Sequence, residues 1–392
     1  MHARGRSAVT WLRGANPNLL ALIALGVANH TVLAGNRVVV SLYALHLGAS
    51  SAVVGVLLAL YALLPMFTAV AAGRLSDRIG VRRPMLVGSV ALAMGAVLPA
   101  VVPGLAALFA STTIVGVSFM LFQVAVQNAT GEMGSPTARA HNFSLLALGY
   151  SVSGFIGPLI SGFTIDHGSY ALAFAVLALV PLVPVAILGT GRLTLPGPHP
   201  ARPVKPEGGA LTLLMHRKLR RVFFVNVLMA MGWDLHMIVI PIYGASLGLS
   251  ASQIGMILAA FAAATFIVRF SMRWIVRRCT EHQVLTIALI TAGMVYLLFP
   301  FSTTAPTLMA LSFALGLGLG MSQPMVMSLL HSHAPPGRMG EAAGVRMSLV
   351  NSMAVAVPLA FGALGATVGL TPVFWSVGVC LATGGWLTKR SR

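Results

Sequence analysis

Two charged residues sit where a charge is expensive, and they carry the first chemical reading of this chain. Arg37 lies in the outer half of an apolar run that begins near Asn18, and Asp234 lies near the middle of another. On insertion scales a charge at such depth in hydrocarbon costs about 2.5–3.5 kcal/mol, which makes both residues candidates for function. The stretches around them repeat at an offset of 200, which sets Arg37 level with Met237. Helical rise then separates Arg37 from Asp234 by roughly 4–5 Å in depth, a gap that an arginine side chain can bridge. The pattern predicts that Arg37 binds an anionic group of a solute, with Asp234 as its competitor and as a proton acceptor. A permanent structural pair, or Arg37 snorkelling outward, is the plainer alternative. Asn36 aligns with His236 at the same offset. Histidine titrates near physiological pH and could share a proton with Asp234, although two positions on, a helical side chain points roughly 200° away. Asn29 and His30 are further polar groups on the first run.

The elements that must hold these residues are membrane helices. Hydrophobic residues make up 57% of the 392 and charged ones 8%, against roughly 45–50% and about 25% in soluble chains. Apolar runs fall at about 17–43, 53–72, 85–103, 106–128, 140–163, 170–190, 222–244, 252–270, 284–300, 306–330, 343–366 and 372–388. Each approaches the ~20 residues that a helix needs to cross the hydrocarbon, and continuous apolar runs exclude a barrel. All but one of the 25 Lys and Arg residues fall in the tails, in alternate gaps, or at the edges of those gaps. That alternation predicts both termini in the cytoplasm and leaves Arg37 as the basic residue forced into the membrane. The net charge of +18 is then a topology signal and a contact with anionic lipid heads, and nucleic acid is excluded as a partner. Cys279 and Cys380 make no disulfide framework.

The long polar gap, rich in proline and basic residues, divides the chain into residues 1–190, a linker 191–219 and residues 220–392. The halves repeat. Tyr43, Leu47, Gly48, Gly55 and Leu58-Ala59 recur as Tyr243, Leu247, Gly248, Gly255 and Leu258-Ala259 at 200; the stretch Arg74–Arg83 recurs as Arg269–Arg278 at 195; Gly116 matches Gly320, and Ser144-Leu145 matches Ser348-Leu349, at 204. The expected architecture is all-α and polytopic: twelve transmembrane helices in two six-helix bundles related by pseudo-two-fold symmetry about the membrane normal.

Gly73-Arg74-Leu75-Ser76-Asp77-Arg78-Ile79-Gly80-Val81-Arg82-Arg83 resembles the loop between spans 2 and 3 that marks the major facilitator superfamily. The resemblance implies a conformational latch: Asp77 facing the start of span 11 near Gly340, and Arg78 or Arg82 reaching Glu132, with Gly73 and Gly80 shaping the loop. Asp77 stands near a helix C-terminus, where the dipole disfavours an anion, so something else must hold it. The second copy has Met272 at the acid position. In span 5, Ser153-Gly154-Phe155-Ile156-Gly157-Pro158-Leu159-Ile160-Ser161-Gly162 is similar to a motif of antiporters in this superfamily, with serines at two glycine positions. Gly157, Pro158 and Gly162 also suit ordinary close packing. In span 4, Thr112 stands where the related exporter motif has arginine. The resemblance further implies that spans 1, 4, 7 and 10 line a central cavity. Gln123, Gln127 and Gln323 then become polar wall or interhelical hydrogen-bonding groups, with Tyr150, Arg346 and Asn351 as weaker candidates.

The resulting expectation is a monomeric secondary transporter in a bacterial inner membrane. It would move a small organic solute, anionic or amphiphilic, by proton-coupled efflux. Uptake of an organic carboxylate is the alternative, followed by a transporter-like sensor. The chain has no phosphate-binding loop for ATP, no constellation of nucleophiles and no metal ligand cluster, so neither an enzyme nor a cofactor is expected. Methionines near His236 and His331 leave copper import a remote reading.

Overall fold

The computed structural model describes residues 16–133, 139–198, 210–275, 277–335 and 338–390. Among these there is no strand, and twelve helical spans are long and apolar enough to cross a membrane. Span 1 is Pro17–His46, span 2 Ser51–Ile79, span 3 Arg82–Val101, span 4 Leu105–Glu132 and span 5 Arg139–His167. Span 7 is Arg217–Ser246, span 8 Ala251–Ile275, span 9 Glu281–Leu298, span 11 Met339–Val368 and span 12 Leu370–Arg390. Spans 6 and 10 are each broken. Span 6 is Tyr170–Leu179 followed by Leu182–Gly189, and span 10 is Ala305–Gly320 followed by Ser322–His333. Proline explains both breaks. Pro181 and Pro324 lack the N–H, and their rings clash with the carbonyls of Leu177 and Gly320 four residues back.

Helix starts follow capping chemistry. Asn16 accepts from the N–H of Asn18, with Pro17 in the first turn. Thr280 and Gln283 cap span 9 reciprocally. The turns that close spans 1 and 7 need a left-handed residue, and Gly48 (φ 81°) and Gly248 (φ 71°) supply it at matching positions.

The expected 191–219 linker is shorter in the structure. A helix at Ala210–Met215 and the start of span 7 at Arg217 take up its second part, and residues 199–209 lie outside the described residues. The end of span 6, the start of span 7, the end of span 12 and the linker share one face of the molecule, called here the linker face; the turns at Gly48 and Gly248 lie on the far face.

The repeat holds one register in the packed helices. A Cβ placed on Gly116 would meet the backbone of Tyr61 (O at 2.5 Å), and one on Gly316 would meet the backbone of Phe261 (O at 2.3 Å). Tyr61 and Phe261 are 200 apart, so Gly116 corresponds to Gly316, and the offset of 204 that paired it with Gly320 is corrected. Beyond the span 1–span 7 contact, the halves meet along two seams, span 2 against span 11 and span 5 against span 8.

Candidate functional site

Between the halves lies a cavity of about 330 Å³. Spans 1, 4, 5, 7, 8 and 10 line it through His30, Arg37, Gln127, Tyr150, Trp233, Met237, Arg269 and Gln323, among others. No carboxylate lines it among the described residues. Arg37 is half-buried, with its guanidinium 5.4 Å from the centre of the Tyr61 ring. Its Nε is buried without a hydrogen-bond partner. On its other side Arg37 shares a void of about 10 Å³ with Asp234, Leu58, Met237, Ile238, Ala354 and Pro358. Arg37 and Asp234 are thus neighbours across a small gap, and no ion pair joins them among the described residues. Spans 1 and 7 bring them together as the repeat register requires.

Arg269 is the residue that sequence reasoning missed. Its position at the edge of an apolar run, matched to Arg74 at 195, placed it in a loop; the structure places it in the cavity wall instead. It donates from Nη1 to Ala147 O (2.8 Å) and to Ser151 Oγ (3.0 Å), and from Nη2 to Gln323 Oε1 (3.4 Å). Its guanidinium lies 5.8 Å from the Trp233 ring centre, and its Nε is buried without a partner. Arg346 is a second correction: it is 8% exposed within span 11, with Nε unpartnered. Among the described residues, Arg37 is therefore one of three arginines held among the helices.

Other expected site residues divide between cavity and core. Gln127, Gln323 and Tyr150 line the cavity. Gln123 instead accepts from Tyr150 Oη at 2.5 Å, which fixes the tyrosine. Asn36 is fully buried and accepts from Tyr61 Oη. His236 turns away from the cavity, 1% exposed, hydrogen-bonded to Ser312 Oγ at 3.0 Å and stacked on Phe261. That is the orientation helical geometry demands of a residue two positions from Asp234. His30 does line the cavity, stacked on Tyr150 and bonded to Ser153 Oγ at 2.6 Å.

The model of the Major Facilitator Superfamily matches this chain twice, over residues 22–221 and 222–391. The chain belongs to the major facilitator superfamily. It is a multi-pass membrane transporter. It is 27% identical over 345 residues to the class G tetracycline resistance protein of Vibrio anguillarum, covering 83% of this chain and 84% of that one. It is likewise 27% identical over 341 residues to the class C protein of Escherichia coli, with the same coverage. Solved structures share the fold: a peptide transporter, POT, in complex with sulfate superposes with a TM-score of 0.78 at 18% identity, covering 96% of this chain and 94% of that one. A POT family transporter in complex with 5-aminolevulinic acid gives 0.77 at 16% identity, covering 95% and 96%.

The superfamily's signature loop closes span 2 on the linker face. Asp77 is half-buried two residues before the helix ends at Ile79, Arg78 is exposed, and Gly80 (φ 79°) caps the helix seven residues beyond Gly73. Arg82 donates to the carbonyl of Leu193 in the linker. Glu132 is exposed at the end of span 4. The side chains at 339–341, where a latch on Asp77 would close, lie outside the described residues. The span-5 motif is a packing surface on two sides. Gly157 lies against the backbone of Thr31 and Gly35, and Gly162 against the backbone of Ala251. Pro158 presents its carbonyl to Gly255.

Proposed function

We propose that this transporter moves a small organic anion together with a proton across a bacterial inner membrane, by alternating access. The observation that carries the reading is Arg37: a cation in a membrane cavity, with a bare Nε, no carboxylate among the described residues lining that cavity, and no ion pair to its neighbour Asp234. A buried charge without a partner is costly, and a substrate carboxylate or phosphate would satisfy it with paired charge-assisted hydrogen bonds. Asp234 across the small void supplies the coupling. Charged, it draws on Arg37 and opposes an anion; protonated, it leaves Arg37 to the substrate. Anion and proton therefore favour each other's binding, and the same factor must appear in both affinities. With basic loops on the linker face, that face is cytoplasmic, and an inward proton gradient drives uptake.

Export is the second reading, the direction implied by the span-5 motif and favoured by the 27% identity to tetracycline resistance proteins. Counterflow in proteoliposomes with a panel of organic acids tests the function, and imposed pH gradients of either sign fix the direction. Anion affinity is expected to rise as pH falls, and Asp234→Asn is expected to make it independent of pH. An Arg37→Gln protein that still exchanges anions at the wild-type rate would remove the reading.

A further inference from the structure

We propose that the substrate carries two anionic groups, one held by Arg37 and the other by Arg269, with a flat apolar body between them. This rests on the anion reading of the cavity and narrows it. Two guanidiniums line one cavity, and each keeps a buried Nε with no acceptor. Their partners do not balance them: Arg37 lies over the Tyr61 ring, and Arg269 has only the neutral acceptors Ala147 O, Ser151 Oγ and Gln323 Oε1.

The chain has 7 acidic residues, and none that the structure describes lines the cavity. Asp77, Glu132 and Glu281 stand at span ends on the linker face, Asp166 stands at the far face, and Asp234 lines the small void beside Arg37. With Asp234 protonated, the cavity presents two positive charges, and a dianion matches them.

The geometry bounds the ligand. Arg269 lies against Trp233 of span 7, whereas Arg37 lies against Tyr61 of span 2, and the two heads reach into one cavity from different halves. An aromatic ring or a short chain is the size of body that the cavity admits. Trp233, Phe261 and Tyr150 line the wall between them and favour a planar body. At about 330 Å³ the cavity falls at the small end of ligand sites, which run roughly 300–1,000 Å³.

The test uses the purified full-length transporter and calorimetric titration with an isosteric series: terephthalate, its monoamide and its diamide. Naphthalene-2,6-dicarboxylate and adipate, with their monoamides, vary the spacer. The dianion is expected to bind at least about tenfold more tightly than its monoamide, the value of one charge-assisted fork. Arg269→Gln is expected to erase that preference, and Arg269→Lys to restore part of it. The comparison within the wild-type protein decides the question even if the variants do not fold. Equal binding of dianion and monoamide, both better than the diamide, overturns the two-charge proposal and leaves the anion reading standing. A diamide that binds as well as the acids, or a series in which nothing binds, overturns both.

Discussion

At the seam of spans 2 and 11, a Cβ on Gly55 would lie 2.3 Å from the carbonyl oxygen of Pro358; at the seam of spans 5 and 8, one on Gly255 would lie 2.5 Å from that of Pro158. Gly362 and Gly162 continue the two contacts, and every member of one set is 200 residues from its counterpart. Backbone meets backbone in both, as membrane helices pack when small residues allow it. The bracing differs. Across the 5/8 seam, Asp166 accepts from the N–H of Ala251 (3.0 Å) and of Ser252 (2.7 Å), capping span 8 from the other half. Arg269 ties the same seam nearer its middle. The 2/11 seam has Ser51 Oγ donating to Gly362 O at 3.2 Å and a weak contact from Ser352 Oγ to Met66 Sδ. The symmetric glycine–proline contacts hold the halves together, and among the described residues the charged side chains brace one seam and not the other. The 5/8 seam is therefore expected to be the more firmly pinned, and the 2/11 seam the one that slides.

The largest expected effect comes from breaking the shared plan. Gly255→Val and Gly55→Val each force a side chain into a backbone carbonyl that has no rotamer to escape into, an overpacking cost of about 1–3 kcal/mol. Each is expected to cut transport about tenfold or more. Each should also raise labelling, from the far side, of a cysteine placed at Ala34 in the cavity wall, in a chain lacking Cys279 and Cys380. Losses of similar size confirm that the two contacts are equivalent. A tolerated Gly55→Val beside a disabled Gly255→Val would show that the 2/11 seam yields more readily.

Asp166 is the next test, because it exists on one seam only. Asp166→Ala removes a carboxylate from two N–H groups at a helix N-terminus. Such a cap contributes about 1 kcal/mol, less at high salt because the site is exposed. Far-side labelling at Ala34→Cys is expected to rise about fivefold, with the rise shrinking in 0.5 M salt. Unchanged labelling would mean that Asp166 caps span 8 without holding the halves closed.

The acids of the two seams stand at opposite ends. Asp77 ends span 2 at the linker face, whereas Asp166 ends span 5 at the far face. If the latch implied by the signature loop operates, Asp77→Asn destabilises closure of the linker face and lowers far-side labelling by about twofold to fivefold. Transport slows while substrate affinity holds, since the residue biases an equilibrium and touches no ligand. The Asp77→Asn/Asp166→Ala double variant should return labelling toward the wild-type level. Shifts in the same direction would break the opposition between the two ends.

The spans, the two halves and the nearness of Arg37 to Asp234 were legible because apolar runs, basic gaps and a charge inside an apolar run survive any detail of packing. Arg269 was hidden by register. Its loop matched the first half at 195, which equated it with Arg74, an exposed residue. The packed helices keep 200, which equates it with Ala69, five residues and about 7.5 Å deeper. The five-residue difference falls in the connection, where nothing packs to preserve it. Asn36, Gln123 and His236 show a second limit: polarity in an apolar run marks a residue that needs a partner, but not whether the partner is a solute or a neighbouring helix. Tyr61, Tyr150 and Ser312 took those roles, and each partner comes from another span.

The smallest effect is the one that would complete the symmetry. The counterpart of Asp166 at 200 is Ala366, exposed near the far end of span 11, and the counterparts of Ala251 and Ser252 are Ser51 and Ala52 at the start of span 2. The two ends are close: a Cβ on Gly365 would lie 3.5 Å from Ser51 Oγ. Ser50 already accepts from Val53 N at 3.5 Å, just as Ser250 accepts from Gln253 N at 3.2 Å. The first two N–H groups of span 2 are therefore in the position that Asp166 serves on span 8. Placing Ala366→Asp in the Asp166→Ala chain should recreate the cap on the other seam. Far-side labelling should then fall back by about twofold, since a transplanted carboxylate without the original neighbours recovers only a few tenths of a kcal/mol. In the wild-type chain the same Ala366→Asp change should pin both seams and slow transport by a similar factor. If it speeds transport instead, the 2/11 seam is not the sliding one, and the asymmetry drawn from Asp166 and Arg269 has been assigned to the wrong pair of helices.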